Sequence, residues 1–288
     1  VTNGTGHLNH NNEWIVGGGI YVRESYPKLY DLHIYGNTAE GASAIYFYDW
    51  VYLKNSIIDN NSGGGTVISV QRVEAGDAEG IIENVLINDN SCSESAITIW
   101  ECFGGTITIN NTTIVSNVSD NNNYNSGGLS GEAGITINIS NSIIYNNYPV
   151  NIILDNNFEI PTTANISYSN IEEELNGIVT YNNPIINYEN NINLDPLFRD
   201  PANGNYHLSD YSPCIGAGTL GGVPDTDIEG NPRPNPSGTL PDMGAYENAL
   251  ANPIYILSVD SVYIIHGDTA IVPIRNHSLY PPFTSIDL

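Results

Sequence analysis

The chain has 288 residues, an ordinary 40% apolar share, and 32 acidic against seven basic side chains, for a formal charge of −25. Length and apolar content suit one large folded domain or two smaller ones. The charge repels phosphate backbones and anionic membrane surfaces, which argues against nucleic acid as a partner and leaves cations, basic proteins and neutral sugars.

The opening ten residues, VTNGTGHLNH, have neither the basic start nor the apolar run of a secretory signal, and no later apolar run reaches membrane-span length. The chain begins in polar sequence and stops at TSIDL inside a strand-like pattern, so it is expected to be a piece of a longer polypeptide. Gly17–Gly19 followed by Ile20 and Tyr21 reads as a tight bend entering a strand, an early turn of a repeat.

That repeat is a nine-residue phrase, [IL]-x-[ND]-x-x-I-x-x-N, found at Leu29–Asn37, Leu53–Asn61, Ile82–Asn90, Ile109–Asn117 and Ile139–Asn147. A looser copy at Ile166–Glu174 keeps both aliphatic anchors. Successive starts lie 24, 29, 27, 30 and 27 residues apart. After each phrase comes a short β-branched segment (Ser43–Tyr48, Thr66–Val70, Ser95–Trp100, Gly134–Ile139), and a third apolar patch usually leads to the next phrase.

Three short strands per period without a helical pattern describe coils that cannot bury an apolar face alone, but can when stacked about 4.8 Å apart. The expected fold is therefore all-β: a right-handed parallel β-helix over residues 1–198, an irregular C-terminal cap over 199–249, and a trailing β-strand segment over 250–288. A sandwich is the competing architecture, but it predicts hairpin turns and looser spacing. Ile34, Ile58, Ile87, Ile114 and Ile144 should form an internal ladder, and Asn55, Asn84, Asn111 and Asn141 should stack at a bend. Gln71–Glu79 and Val118–Gly134 should protrude as loops.

The coils resemble those of right-handed parallel β-helix proteins of the pectin-lyase-like superfamily. The segment Asn193–Gly218, then Asp225–Pro234 and Pro241–Asn248, is similar to the closing segment of bacterial surface β-helices of the choice-of-anchor Q type. Its shared elements here are Asp195-Pro-Leu-Phe, Asn205-Tyr-x-Leu, Ser212-Pro-x-Ile-x-Ala-Gly, Asp227-x-x-Gly-Asn-x-Arg and Asp242-x-Gly-Ala-Tyr-Glu. Tyr206, Leu208, Ile215, Leu240, Met243 and Tyr246 are expected to cover the open end of the stack. From Ile254 onward, alternating residues around His266-Gly267-Asp268 resemble the opening strands of a cohesin-like or immunoglobulin-like sandwich.

The candidate chemistry is sparse. Lys54 and Glu83 hold the same outward place in successive coils, as do Asp59 and Asn88; with His33, Tyr35, Arg72 and Glu74 they are the candidates for a calcium-assisted lyase-like site. The alternative is ion pairs between neighbouring strands. The resemblance implies more: related hydrolases carry Gly-His-Gly and Arg-x-Lys strings that do not occur here, and related lyases need basic residues that are scarce here. Tyr46, Tyr48, Trp50 and Tyr52 share one alternation phase and, with Trp100, suggest an outward strip for stacking on sugar faces, against the alternative of aromatic packing. Asp225, Asp227 and Glu229 match the first half of a calcium loop, but Pro236 at the twelfth position excludes an EF-hand, and a structural turn with Arg233 paired to one of these carboxylates is the alternative. Cys92, Cys102 and Cys214 fit no zinc-ligand spacing and read as buried thiols.

The combined expectation is a secreted or cell-surface, non-catalytic module contacting a polysaccharide, a cell-surface glycan or a partner protein, with neighbouring domains in the same longer chain. A polysaccharide lyase or glycoside hydrolase and a structural stalk or adhesin segment are the alternatives.

Overall fold

A computed structural model describes residues 1–8, 15–74, 76, 79–120, 126–132, 134–156, 160–254, 257–259 and 274–276. The architecture is all-β, a parallel β-solenoid of about six turns. Each turn contributes to a seven-stranded parallel sheet that runs from Ile20–Val22 through Ala42–Tyr48, Thr66–Gln71, Ile97–Trp100, Leu129–Glu132 and Ile152–Asp155 to Ile178–Tyr181. It then enters an eleven-stranded sheet that bends into two limbs. Last comes a narrow four-stranded sheet (Thr38–Ala39, Ser62–Gly63, Ser91–Cys92, Val118–Ser119).

The phrase explains the bend. Its third position has positive φ in every coil: Asp31, Asn55, Asn84, Asn111, Asn141, then Tyr168. Asn and Asp enter the left-handed region more readily than other non-glycine residues, so the chain turns there. The two limbs on either side are then held in register by the aliphatic anchors. Ile34 pairs with Ile58, Ile58 with Ile87, Ile87 with Ile114, Ile114 with Ile144 and Ile144 with Ile171, and all six are fully buried in one core. The isoleucine ladder is as the phrase predicts.

The asparagine stack is displaced. The first Asn of the phrase makes only broken contacts, Asn84 to Asn55 at 3.2 Å and Asn141 to Asn111 at 3.5 Å. The unbroken ladder belongs to the last Asn. Asn37, Asn61, Asn90, Asn117 and Asn147 each donate from Nδ2 to Oδ1 of the next at 2.9–3.0 Å, ending on Asn151, which donates to Glu172 at 2.9 Å. Each Oδ1 also accepts a backbone N–H from the preceding coil, as from Asn61 N to Asn90 at 2.9 Å. A buried corner leaves backbone groups that need such partners. The adjoining corner is tight: a Cβ on Gly63 would lie 2.0 Å from Ala39 O, and one on Gly65 2.1 Å from Gly41 O.

Two expectations need correction. Val118–Gly134 is not simply a protruding loop, because Val118–Ser119 and Leu129–Glu132 are strands of the solenoid, the latter pairing with Ile97–Trp100 and Ile152–Asp155. Thr136–Ser140 accordingly belongs to the bent sheet, against Thr106–Asn110, and is not the second strand of its coil. Three glycines, Gly127, Gly128 and Gly131, in Leu129–Glu132 and its approach hid the strand, since Gly131 takes an inward place usually held by an aliphatic residue.

The irregular segment after Ile192 lies along the side of the stack. Tyr206, Ala245 and Tyr246 pack on Leu86 and Val115; Leu208, Cys214, Ile215 and Met243 pack on Ile143. These contacts are with the outer face of the second limb, and Leu240 is 48% exposed, so the expected end cover is a lateral cover. The trailing region is described only at Leu257–Val259 and Ile274–Asn276, which pair antiparallel; His266-Gly267-Asp268 lies outside the described residues.

Candidate functional site

The first limb of the bent sheet presents an outward face whose side chains line up across coils. Thr106, Thr136 and Thr163 form one row. Tyr52, Ile81, Thr108, Asn138, Asn165 and Asn187 form the next. Tyr30, Lys54, Glu83, Asn110, Ser140, Ser167 and Glu189 form the third. Inward neighbours such as Ile82, Ile107 and Ile137 fill the core, so strand alternation commits these residues to the outside. The amides are mutually oriented: Asn187 donates to Asn165 at 2.7 Å, Asn165 to Asn138 at 2.8 Å and Asn138 to Thr108 at 3.4 Å. Ser140 donates to Asn110 at 3.0 Å. The result is a half-buried array of hydroxyl and amide groups at the repeat of the sheet.

At its N-terminal end this face becomes aromatic and cationic. Trp50 and Tyr52 stack at 5.5 Å, and Tyr26, 66% exposed, meets Trp50 edge-on at 5.8 Å. Lys28 and Lys54 both lie over the Tyr52 ring, at 5.1 and 5.2 Å. Lys54 Nζ is 2.6 Å from Glu83 Oε1. Burial lowers the Lys54 pKa, but the hydrogen bond and charge of Glu83 outweigh it and hold the ammonium above its ordinary value.

Both edges of the face are bordered. On one side Asn84 donates to Thr226 O at 2.7 Å, Asn110 to Gly222 O at 2.8 Å and Asn141 to Thr219 O at 3.1 Å, which fixes residues 219–226 beside the third row. On the other, Glu79 accepts from the Thr108 hydroxyl, and its carbonyl accepts from Trp50 Nε1 at 3.3 Å. Behind residues 219–226 lies a buried charge cluster. Arg233 Nε is 3.0 Å from Glu247 Oε2, both side chains fully buried, but none of Nε, Nη1 and Nη2 makes a hydrogen bond of good geometry. Asp242 accepts from Gly216 N at 2.7 Å and Asn248 N at 2.6 Å; burial, with the Glu247 charge adding, pushes its pKa up to about 8.

The sequence-derived catalytic candidates fall into separate pairs. Lys54 and Glu83 meet on the first limb. His33 Nε2 and Asp59 Oδ1 meet at 2.6 Å on the second limb, beyond the bend, with the Tyr35 ring tilted against His33 at 4.5 Å. Arg72, after the seven-stranded sheet, donates to Tyr48 at 2.7 Å and lies 3.7 Å from Glu74. The left-handed corners place these pairs on different sides of the coil, so they do not form one cluster.

The aromatic strip is split. Ile45, Phe47 and Val51 are in the core as the alternation predicts, but Asp49 turns left-handed and separates the tyrosines. Tyr46 and Tyr48 lie on the outer side of the seven-stranded sheet and are buried there, Tyr21 stacking on Tyr46 at 5.4 Å. Trp50 is also buried, and Trp100, half-buried, donates to Ser69 at 3.1 Å. Of the strip, Tyr52 and the buried Trp50 stacked on it lie at the face described above. Tyr26 and Tyr30, both more than half exposed, are the aromatic residues that alternation reasoning missed, because Pro27 and irregular backbone hide their period. The row equivalence of Tyr30 and Lys54 was available from phrase alignment.

At the stretch read as half of a calcium loop, the structure shows a hydrogen-bonded turn. Asp227 is buried, and its two oxygens accept from Glu229 N, Asn231 N, Asn231 Nδ2 and Glu247 N at 2.8–3.0 Å. Glu229 faces His207 Nε2 at 3.1 Å, and Arg233 pairs with Glu247 instead of with this triad. Such saturation of Asp227 by amide donors makes a turn. Among the described residues no group of three or more His, Cys, Asp or Glu is placed to hold a metal ion, and no helix is long and apolar enough to cross a membrane. The three cysteines are buried free thiols, with burial pushing each pKa up to about 12.

Comparison with protein-family models yields no match, and neither curated proteins nor solved structures yield one.

Proposed function

We propose that this chain is a non-catalytic, secreted or cell-surface module that contacts polysaccharide through the outward face of the first limb. The pectin-lyase-like and choice-of-anchor Q resemblance supports a bacterial surface setting. The observation that carries the reading is the in-register array of Thr, Asn and Ser side chains ending at Tyr26, Lys28, Tyr30 and Tyr52. Oriented hydroxyls and amides suit sugar hydroxyls, and exposed rings suit sugar faces. The separation of Lys54–Glu83, His33–Asp59 and Arg72–Glu74 favours binding over catalysis, since a lyase or hydrolase needs its acid and base around one bond.

The test is a glycan array run beside a polysaccharide-degradation assay, with and without calcium. Retention without product is expected, and Tyr52→Ala should reduce retention about tenfold, as loss of one stacking platform does. Calcium-dependent release of unsaturated sugars would replace this reading with the lyase alternative. Neither retention nor product would favour a structural stalk.

A further inference from the structure

The polar face of the first limb is a track with a regular pitch. Residues within a row sit one strand apart, about 4.8 Å along the axis, and neighbouring rows lie two residues apart on each strand, about 6.7 Å across it. The middle row runs from Tyr52 through Ile81, Thr108, Asn138 and Asn165 to Asn187 without a register shift, so it keeps one direction over about 24 Å. On Thr106–Asn110, Thr136–Ser140 and Thr163–Ser167 every outward side chain is Thr, Asn or Ser. None of them is charged.

The surroundings of the track are acidic. Glu83 and Glu189 stand in the third row, Asp225 is exposed on the segment bonded to that row, and Glu79 accepts from Thr108 at the other edge. Lys28 and Lys54 stand at the Tyr52 end, where Glu83 already holds Lys54 at 2.6 Å. A polyanion laid along the row meets these carboxylates on a chain of net charge −25, and an uncharged polymer escapes that repulsion.

Shape narrows the class further. The carbonyls of Thr219, Gly222 and Thr226 are bonded to Asn141, Asn110 and Asn84, so residues 219–226 wall one edge of the track. A walled row admits a ribbon lying lengthwise, and side branches would strike the wall. Sugars with β-1,4 links extend as flat ribbons whose rise per ring is close to the strand spacing, whereas α-1,4-linked glucans coil away from a straight row. Hydroxyls at the two edges of such a ribbon face the Thr106–Thr136–Thr163 row and the Ser140–Ser167 row, and a ring at its end reaches Tyr52.

We propose that this track binds an uncharged, unbranched β-1,4-linked polysaccharide lengthwise, one sugar to each coil. The proposal rests on the polysaccharide contact inferred above and names its chemistry.

Isothermal titration calorimetry of the whole chain tests it, with cellohexaose, mannohexaose, xylohexaose and chitohexaose as probes beside hexagalacturonate, a polyanion, and maltohexaose, a neutral coiling chain. A β-1,4 hexamer should bind about tenfold or more tighter than either of the last two. Its Kd should stay within about twofold between about 20 mM and about 0.5 M sodium chloride, since no ion pair forms. The matching trimer, which leaves half of the row empty, should bind about tenfold more weakly. Asn165→Asp keeps the shape of the side chain but removes its donor hydrogens, and Thr136→Val removes one hydroxyl from the flanking row; each should weaken the hexamer about fivefold with unchanged circular dichroism. Tighter binding of hexagalacturonate overturns the uncharged class, and tighter binding of maltohexaose overturns the straight track, yet both leave the polysaccharide contact standing. Binding of none of the hexamers overturns that contact as well. A β-1,4 hexamer held equally well by both variants overturns its placement on this face.

Discussion

Asn117 shows how much one side chain carries in this fold. Its Nδ2 donates to Ile87 O, Val115 O and Asn147 Oδ1, and its Oδ1 accepts from Asn90 N and Nδ2, all without solvent. Truncation strands several buried groups at once, each costing about 1–3 kcal/mol. Asn117→Ala should therefore lower unfolding free energy by about 3 kcal/mol or more in urea melts, whereas Asn146→Ala, at an exposed left-handed position, should cost less, about 1–2 kcal/mol. Asp242 supplies a pH-dependent counterpart. Its folded pKa of about 8 lies above the ordinary carboxyl value of 3.8, so the folded chain holds a proton that the unfolded chain releases. The stabilisation from this group is full below the unfolded value, falls as pH rises between the two, and is gone above about 8. Thermal melts should show a stability decline from pH 5 to 9 for the wild type that is flatter in Asp242→Asn; equal slopes would contradict the assignment.

At the scale of elements, the bent sheet and the lateral segment depend on each other. The second limb exposes Leu86, Val115 and Ile143 on its outer side, and burial of these by Tyr206, Tyr246 and Met243 is what makes that side apolar. The buried cation of the segment, Arg233, faces Glu247, Asp227 and Asp242. Removing one partner of a buried ion pair leaves uncompensated charge and costs about 3–5 kcal/mol. Arg233→Met should therefore loosen residues 219–226, read as faster amide exchange at Gly222 and Thr226 while Asn90 and Asn117 in the corner ladder stay protected. Uniform loss of protection across both would mean that segment and solenoid unfold as one unit.

For the whole molecule, a quasi-one-dimensional stack makes stability a sum over neighbouring coils, and the charge acts along its length. With no cation between Arg72 and Arg199, the sixteen acids there repel one another. Added salt screens that repulsion, so the melting temperature should rise between about 20 mM and about 0.5 M sodium chloride; a fall would show that ion pairs such as Lys54–Glu83 dominate instead.

The coil, its period and its inward ladder are legible in the residues alone, because aliphatic anchors five residues apart around a left-handed Asn leave few ways to bury Ile58, Ile87 and Ile114. So is the placing of Lys54 against Glu83, since equal positions in successive phrases become neighbours in register. Which asparagine forms the unbroken ladder follows from packing, because both Asn positions of the phrase suit a turn and the fold selects the one that faces inward. Likewise the burial of Tyr46 and Tyr48 and the lateral course of residues 193–249 depend on contacts between residues far apart in sequence, as with Tyr206 and Asp89 at 2.9 Å. Local pattern reports which face a residue takes; what covers that face is settled by the rest of the chain.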